Sequence, residues 1–213
     1  MHPMAPLRIF VADDHHVVRR GLQQIVATRP GWEVVGEASR ADDVLPALRA
    51  TAVDVLILDI SLGGRSGMDL LGHIRAELPS LPVLIFSMHA EEQYAARCMR
   101  AGASGYLQKD SSPGEIVVAI ERVAAGRRYV SPALAGAIAD DVGRSTLPPH
   151  ERLSDREFEV FRLIAEGKNA GEIAESLHLS VKTVSTYRTR ILEKTGFHSN
   201  ADIVAYAVRT GLV

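Results

Sequence analysis

The sequence predicts an α/β domain followed by an all-α domain. In residues 1–126, short apolar runs alternate with helical patterns, and this alternation is typical of right-handed βαβ units in a doubly wound parallel sheet. In residues 153–213, the apolar residues follow only the helical period. Residues 127–152 combine prolines, glycines and polar residues, which indicates a linker in which a short helix is possible.

Five strands and five helices are expected in the α/β domain. Val55–Leu58 has the uninterrupted apolar character of a strand buried on both faces. The last helix has Pro113 at its first position and Gly126 beyond its end, as is typical of these two places. In chain order, the predicted strands are Leu7–Ala12, Glu33–Ala38, Asp54–Asp59, Pro82–Ser87 and Gly105–Leu107, and the helices are His15–Thr28, Ala41–Ala50, Met68–Leu78, Glu91–Ala101 and Pro113–Ala125.

Four helices are expected in the all-α domain. Ser154 and Glu157 have the spacing of a capping box, so the first helix should begin between them and continue to Gly167. Ser180 is expected to cap the third helix, and Gly196 to end it. The second and fourth helices are predicted at 171–177 and 200–209, and a short helix is possible at 131–142 in the linker.

The composition fits a folded protein of the cytoplasm. The chain has 213 residues, of which 46% are hydrophobic, and its net charge is −2. Cys98 is the single cysteine, which excludes an internal disulfide and favours a reducing compartment. The sequence contains neither an apolar run of about 18 residues nor a signal-peptide pattern, so no membrane partner is expected.

Polar residues stand at the carboxyl ends of four predicted strands. Asp13 and Asp14 follow the first strand, Asp59 ends the third, Ser87 ends the fourth, and Lys109 follows the fifth. Because ligands bind at these ends in open α/β sheets, the side chains should converge. Neighbouring carboxylates need a cation, and oxygen ligands of this kind favour Mg²⁺. One carboxylate could then attack a phosphoryl group and form an aspartyl phosphate.

Residues 7–125 resemble the receiver domain of response regulators. The resemblance implies a flavodoxin-like sheet with strand order 2-1-3-4-5, and Asp59 as the phosphoacceptor. It also implies that Asp14, Asp59 and the backbone carbonyl of Ser61 bind Mg²⁺ directly, whereas Asp13 binds it through water.

The same resemblance assigns roles to three further residues. Ser87 and Lys109 would contact the phosphoryl group, and Ser87 and Tyr106 would form the switch that responds to it. One departure is Gly63, which stands where the family usually has proline and gives the loop after Asp59 more conformational freedom.

Residues 153–213 resemble the LuxR-type helix-turn-helix domain of NarL/FixJ regulators. Tyr187 and Thr195 depart from the family, which commonly has histidine and leucine at these positions. The smaller Thr195 should weaken the local core. The matching segments are Leu153–Glu157, Glu166–Gly167, Glu172–Ala174, Leu179–Ser180 and Lys182–Val184.

The helix predicted at 181–194 has an apolar face and a polar face. Val184, Tyr187 and Ile191 share the apolar face, which should pack on the preceding helices. The polar face would enter a major groove, with hydroxyl groups at base edges and basic groups at phosphates. The predicted DNA contacts are Lys182, Thr183, Ser185, Thr186, Arg188, Thr189 and Arg190.

Other residues that could carry chemistry have simpler interpretations. His15 and His16 suggest a metal, but no carboxylate or cysteine spacing supports a zinc site, and a solvated loop pair is favoured. Cys98 is expected to pack within its helix layer, and Trp32 to be a packing or loop residue.

We therefore predict a two-component response regulator that is a transcription factor and not an enzyme, apart from autodephosphorylation. A sensor histidine kinase or a small phosphodonor would phosphorylate Asp59, and the phosphorylated chain would dimerise and bind double-stranded DNA. Two alternatives remain. One is a phosphorylation-independent regulator with a protein-binding pseudo-receiver, which the complete set of polar residues disfavours. The other is a flavodoxin-like hydrolase or phosphatase fused to a DNA-binding domain, which the missing phosphate-binding glycine loop disfavours.

Overall fold

A computed structural model describes residues 6–62, 67–88, 91–131 and 148–213. The chain divides into two compact units, residues 1–142 and 143–213, and the division falls within the predicted linker. Gly63 lies outside the described residues, as does the possible linker helix except for Ser131. Among the described helices, none is both long and apolar enough to cross a membrane.

The described part of the first unit contains a parallel sheet of five strands in the order β2-β1-β3-β4-β5. This confirms the predicted fold class and strand order. β3 and β4 are buried along their whole length, as expected for apolar strands at the centre of a sheet with helices on both faces. The strands are β1 Leu7–Ala12, β2 Trp32–Ala38, β3 Val55–Leu58, β4 Val83–Ser87 and β5 Gly105–Gln108.

A helix follows each strand of this sheet. Ser112 begins the last helix with a capping box that it forms with Glu115, beside the predicted proline. The apolar sides of α1 and α5 pack with β1, β3 and β4 in one buried cluster that contains Leu22 and Ile120. The helices are α1 His16–Ala27, α2 Ala41–Ala50, α3 Gly67–Glu77, α4 Glu91–Arg100 and α5 Pro113–Ala124.

A short segment after α5 covers part of the outer edge of β5. The backbone N–H of Tyr106 donates to the carbonyl of Tyr129 at 3.0 Å, and the N–H of Tyr129 donates to the carbonyl of Ser104 at 3.0 Å. Residues of the predicted linker therefore satisfy backbone groups that an edge strand would otherwise expose.

The second unit is helical in its described residues. Ser154 and Glu157 form the predicted capping box at the start of α6. Ser180 caps α8 by accepting a hydrogen bond from the N–H of Thr183, and Gly196 ends it in the left-handed conformation, with φ 76°. The helices are α6 Asp155–Ala165, α7 Ala170–Ser176, α8 Val181–Thr195 and α9 Asn200–Thr210.

The segment Pro149–Arg152, predicted as the end of the linker, forms a 3-10 helix. Nδ1 of His150 lies 2.7 Å from the hydroxyl of Tyr206 on α9. The His150 ring also lies beside the ring of Phe158 on α6, at a centroid distance of 6.0 Å. The helical unit therefore includes residues that precede its predicted first helix.

Candidate functional site

Backbone hydrogen bonds place two carboxylates at the carboxyl edge of the sheet. The N–H of Asp13 donates to the carbonyl of Ala38 on β2 at 3.0 Å, and the N–H of Asp59 donates to the carbonyl of Ala12 on β1 at 2.8 Å. Each aspartate thus extends the strand that precedes it by one residue, where the sequence predicts convergence. The side chains of Asp13 and Asp59 are buried, with 2% and 1% of their surface exposed.

Lys109 joins these two carboxylates. Its ammonium nitrogen lies 2.7 Å from Oδ2 of Asp13 and 2.8 Å from Oδ2 of Asp59. The N–H of Lys109 donates to the carbonyl of Ser87 at 2.9 Å, so the loop after β5 is held against the end of β4. The structure therefore brings together the polar ends of four strands, as the sequence predicts.

The buried charges at this edge are not balanced. Burial raises the pKa of Asp59, and the hydrogen bond and charge of Lys109 oppose this rise only in part. Burial by itself lowers the pKa of Lys109, but its contacts with Asp13 and Asp59 outweigh that effect and raise the pKa. Although Oδ2 of Asp13 lies close to Lys109, it has no hydrogen bond of good geometry. An added cation would relieve this imbalance.

Four residues at this edge offer ligand atoms for such a cation. The ligand atoms of Asp13, Asp14, His15 and Asp59 all lie within 4.8 Å of one another. Carboxylate oxygens are suitable ligands for Mg²⁺, so the residues present fit the ion that the sequence predicts. The N–H of Ser61 donates to Oδ1 of Asp59 at 3.0 Å, which holds the predicted carbonyl ligand in the loop beside Asp59.

His15 also belongs to this cluster. Its Nδ1 lies 2.7 Å from Oδ1 of Asp14 and 3.3 Å from Oδ1 of Asp13, although 61% of the side chain is exposed. The exposure of His15 and His16 agrees with the favoured interpretation as a solvated pair, but the contacts of His15 with the two aspartates are not predicted from the sequence.

Arg19 is a further residue that sequence reasoning missed. From α1, its Nη1 donates to the backbone carbonyl of Asp13 at 2.7 Å, and its Nε donates to Glu37 on β2 at 2.9 Å. The guanidinium therefore holds the loop that carries Asp13 and Asp14 against the second strand. The sequence alone could not indicate this, because Glu37 is distant along the chain.

Gly67 permits a close backbone approach next to the site. A Cβ atom at this position would lie 2.5 Å from Cα of Ile60 and 2.8 Å from the carbonyl oxygen of Asp59. The N–H of Gly67 donates to the carbonyl of Ile60 at 2.9 Å. The first residue of α3 thus contacts the backbone that follows Asp59, and only glycine fits there.

The predicted switch residues lie on neighbouring strands. Ser87 ends β4 and Tyr106 is on β5, where it pairs in register with Ile85. Both side chains are fully buried. The backbone contacts of Tyr106 connect it to Tyr129, at the beginning of the predicted linker.

The predicted DNA contacts lie on α8, and their exposure follows the helical period. Val184 and Ile191 are buried and Tyr187 is half-buried, so they form the inner face. Thr183 is half-buried and participates in the Ser180 cap. The other predicted contacts are exposed: Lys182, Ser185, Thr186, Arg188, Thr189 and Arg190.

Several of these side chains have contacts within the domain. Nε of Arg188 donates to Oδ1 of Asn200 on α9 at 2.6 Å. The hydroxyls of Thr186 and Thr189 donate to helix carbonyls one turn earlier, at 3.1 and 3.2 Å. Each hydroxyl oxygen keeps its ability to accept a hydrogen bond. The departure at Thr195 is buried, and its hydroxyl donates to the carbonyl of Ile191 at 2.7 Å, so it leaves no unsatisfied polar group.

Comparison with known proteins agrees with the predicted domain type of both units. Residues 9–121 match the family "Response regulator receiver domain", and residues 151–207 match "Bacterial regulatory proteins, luxR family". The chain is a response regulator of the NarL/FixJ family. This response regulator combines a receiver domain with a LuxR-type DNA-binding domain and regulates transcription. Its family consists of transcription regulators and not of classical enzymes, which removes the hydrolase alternative.

The response regulator is similar to curated proteins along nearly its whole length. It is 36% identical to the response regulator UvrY of Escherichia coli O157:H7, over 97% of this chain and 95% of UvrY. It is 35% identical to the response regulator GacA of Pseudomonas aeruginosa, over 97% of this chain and 98% of GacA. A solved structure of RcsB from Salmonella enterica serovar Typhimurium, bound to promoter rprA in the presence of the phosphomimetic BeF3⁻, is 26% identical. It matches 94% of this chain and 98% of that one with a TM-score of 0.66.

Proposed function

We propose that Asp59 is the phosphoacceptor through which this response regulator is controlled. The observation that supports this most directly is that the buried carboxylate of Asp59 contacts Lys109 and lies within 4.8 Å of ligand atoms of Asp13 and Asp14. Asp14 is exposed, and Asp13 accepts a hydrogen bond from the backbone N–H of His15. Asp59, which is buried against Lys109 at the end of a central strand, is therefore the carboxylate with the surroundings expected for nucleophilic attack.

In the proposed reaction, an oxygen of Asp59 attacks the phosphorus of the donor. A P–O bond to Asp59 forms as the bond between phosphorus and the donor group breaks, and the donor group leaves with the electron pair and takes up a proton where it needs one. The donor is a phosphorylated sensor histidine kinase or a small phosphodonor. The ammonium of Lys109 would move from Oδ2 of Asp59 to the new phosphoryl oxygens, which carry more charge. Attack of water on the same phosphorus would return the carboxylate, which is autodephosphorylation.

The residues proposed to hold Mg²⁺ are Asp14, Asp59 and the backbone carbonyl of Ser61, with Asp13 acting through water. When bound there, Mg²⁺ would supply positive charge for the phosphoryl oxygens during transfer. Arg19 would act as a positioning residue, since it holds the carbonyl of Asp13 while the side chains of Asp13 and Asp14 remain directed at the site.

Ser87 and Tyr106 are proposed to transmit the change. The Ser87 hydroxyl would move toward the phosphoryl group, and the space around Tyr106 would change because both side chains are fully buried on adjacent strands. The hydrogen bonds of Tyr129 with Ser104 and with Tyr106 on β5 give this change a route to the beginning of the linker. Phosphorylation would shift an existing equilibrium between two states of the chain.

The output is proposed to be homodimerisation and binding of double-stranded DNA through the exposed face of α8. Support comes from the exposed basic and hydroxyl side chains of that helix and from the promoter-bound structure of RcsB. The phosphorylation-independent alternative is the second candidate. It would explain the same fold, but it gives no reason for a buried lysine between two carboxylates.

Phosphorylation can be tested with full-length variants and acetyl phosphate on a phosphate-affinity gel. Wild type should be labelled, and Asp59→Asn should not be labelled, because the amide is a poor nucleophile. Ser87→Ala should still be labelled. The matched control is Asp110→Asn, an exposed carboxylate in the loop after Lys109. Full labelling of Asp59→Asn would refute the assignment.

A further inference from the structure

His15 stands at the N-cap position of α1 but does not cap the helix. Its backbone has the extended conformation that N-caps adopt, with φ −83° and ψ 108°, yet its side chain makes no capping hydrogen bond. N-cap positions favour short side chains that accept hydrogen bonds from the first turn. The helix start therefore does not account for a histidine at this position.

The imidazole is instead directed at the carboxylates of the receiver site. Nδ1 lies 2.7 Å from Oδ1 of Asp14 and 3.3 Å from Oδ1 of Asp13. A ring nitrogen of His15 also lies within 4.8 Å of a carboxylate oxygen of Asp59. The N–H of His15 donates to Oδ1 of Asp13 at 2.8 Å, so its backbone is fixed beside the buried carboxylate.

These separations are compatible with shared coordination of one ion. Ligands about 2.1 Å from an octahedral ion lie about 3 Å apart when adjacent and about 4.2 Å apart when opposite. The separations of 2.7 and 3.3 Å between His15 and the aspartates lie on either side of the distance between adjacent ligands. The buried carboxylate of Asp13, whose Oδ2 lacks a well-formed hydrogen bond, is one of these two groups.

A nitrogen ligand changes which ions the site prefers. Mg²⁺ favours oxygen ligands and gains little from an imidazole. First-row transition ions bind imidazole well, and their affinity for a mixed nitrogen and oxygen site increases along the series from Mn²⁺ to Cu²⁺.

We propose that His15 is an additional metal ligand, so that the receiver site binds a divalent transition-metal ion such as Mn²⁺ through one imidazole nitrogen and carboxylate oxygens. This proposal rests on the proposed function, since it concerns the same site. It makes His15 the residue that determines which divalent ion accompanies phosphorylation of Asp59. The alternative to this proposal is a site with oxygen ligands only. In that arrangement, His15 merely donates a hydrogen bond to Asp14.

Pulsed EPR of the Mn²⁺-loaded full-length protein distinguishes the two arrangements, because coordinated imidazole modulates the electron spin echo through its ¹⁴N nucleus. The test variant is His15→Asn, which retains a favourable N-cap residue and removes the imidazole. His16→Asn is the matched control, since His16 is the adjacent exposed histidine and is not part of the cluster. Nitrogen modulation should be present in wild type and His16→Asn and absent in His15→Asn.

Titrations of the same proteins with Mn²⁺ and with Mg²⁺ provide a second measurement. His15→Asn should weaken Mn²⁺ binding by about tenfold or more, while Mg²⁺ binding should change by less than about threefold. The proposal would be overturned if the spin echo of the wild-type protein showed no modulation by ¹⁴N. It would also be overturned if modulation by ¹⁴N persisted in His15→Asn. Equal losses of Mn²⁺ and Mg²⁺ affinity would overturn it as well.

Failure of this proposal is separable from failure of the proposed function. If His15 is not a ligand, Mn²⁺ still binds through oxygen ligands and acetyl phosphate still labels Asp59. If Asp59 is not the phosphoacceptor, labelling of Asp59→Asn persists whatever the nitrogen signal shows.

Discussion

Glu157 is a buried carboxylate that joins α6 to α8 and takes part in the cap at the start of α6. It is 2% exposed, and its Oε2 lies 2.6 Å from Nζ of Lys194 on α8. The same oxygen accepts a hydrogen bond from the N–H of Ser154 at 2.7 Å, while the Ser154 hydroxyl accepts one from the N–H of Glu157. Burial favours the protonated form, but these contacts outweigh it, and the pKa of Glu157 is lowered.

This lowered pKa predicts how stability depends on pH. A carboxylate with a lowered pKa in the folded state stabilises that state above its unfolded pKa, near 4.3, and loses this contribution as the pH falls. At pH 7, Glu157→Gln should reduce the free energy of unfolding by about 1–3 kcal/mol. The difference from wild type should shrink as the pH falls from 5 to about 3, because wild type loses the charge that glutamine never has.

Urea unfolding of the full chain at pH 7, 5 and 3 can test this, with the methyl NMR signals of Ile191 as the reporter for the helical unit. The control is Glu193→Gln, which neutralises an exposed carboxylate on α8 and should have a small effect. A difference between wild type and Glu157→Gln that is constant with pH would contradict the account.

At the scale of elements, the contact between α3 and the end of β3 restricts which residues can replace Gly67. In Gly67→Ala, the new Cβ would lie 2.5 Å from Cα of Ile60, so helix or loop must shift. We expect a loss of about 1–3 kcal/mol in unfolding free energy and slower labelling of Asp59, because the loop that carries Ile60 and Ser61 moves. Gly72→Ala in the same helix is the control, since its Cβ would meet nothing within 4 Å.

The Gly67 comparison needs urea unfolding and initial labelling rates of both variants. Gly72→Ala should be neutral or stabilising, by up to about 1 kcal/mol, because alanine is the better helix former. If the two alanine variants behave alike, the close approach at Gly67 does not determine the geometry of the site.

The elements whose patterns are local could be predicted from the sequence. The apolar run Val55–Leu58 and the capping pair Ser154 and Glu157 carry their own signals within a few residues, and both occur where predicted. The 3-10 helix at Pro149–Arg152 was missed, because its position depends on Tyr206, which is distant along the chain.

In the candidate site, too, some residues could be predicted from the sequence and others could not. The strand-end aspartates and Lys109 could be predicted because parallel strands bring their carboxyl ends to one edge. The roles of His15, Arg19 and Gly67 could not, since each depends on the direction of a side chain or on a backbone approach that residue spacing does not encode.

On the exposed face of α8, different residues should determine the affinity for DNA and the preference among bases. Lys182→Ala should weaken binding to all duplexes alike and reduce the salt dependence by about one unit. Thr186→Ala should leave binding to random duplexes nearly unchanged and alter preference at a contacted base pair by about 1–3 kcal/mol. Both side chains are exposed on the same helix, so each variant serves as the control for the other.

Binding isotherms on specific and random duplexes at several salt concentrations make this comparison. If Lys182→Ala altered base preference and Thr186→Ala weakened all duplexes equally, the helix would face the groove with a different side from the one proposed.

At the scale of the whole molecule, the receiver and the DNA-binding domain are separate units with separate cores. A phosphoryl group at Asp59 can control DNA binding only if it favours one of two states of the whole chain. Typical couplings between two sites of one protein correspond to changes in affinity of about 5- to 150-fold. Ser87→Ala should be phosphorylated and yet show a smaller change in DNA affinity than wild type, because the hydroxyl proposed to respond is missing.

The most direct test is the affinity of full-length protein for one specific duplex, measured with and without acetyl phosphate in the presence of Mg²⁺, for wild type and Asp59→Asn. Wild type should bind more tightly after phosphorylation, by about 5-fold or more, and Asp59→Asn should bind equally in both conditions. A gain in Asp59→Asn equal to that of wild type, or no gain in fully phosphorylated wild type, would contradict control of DNA binding by Asp59.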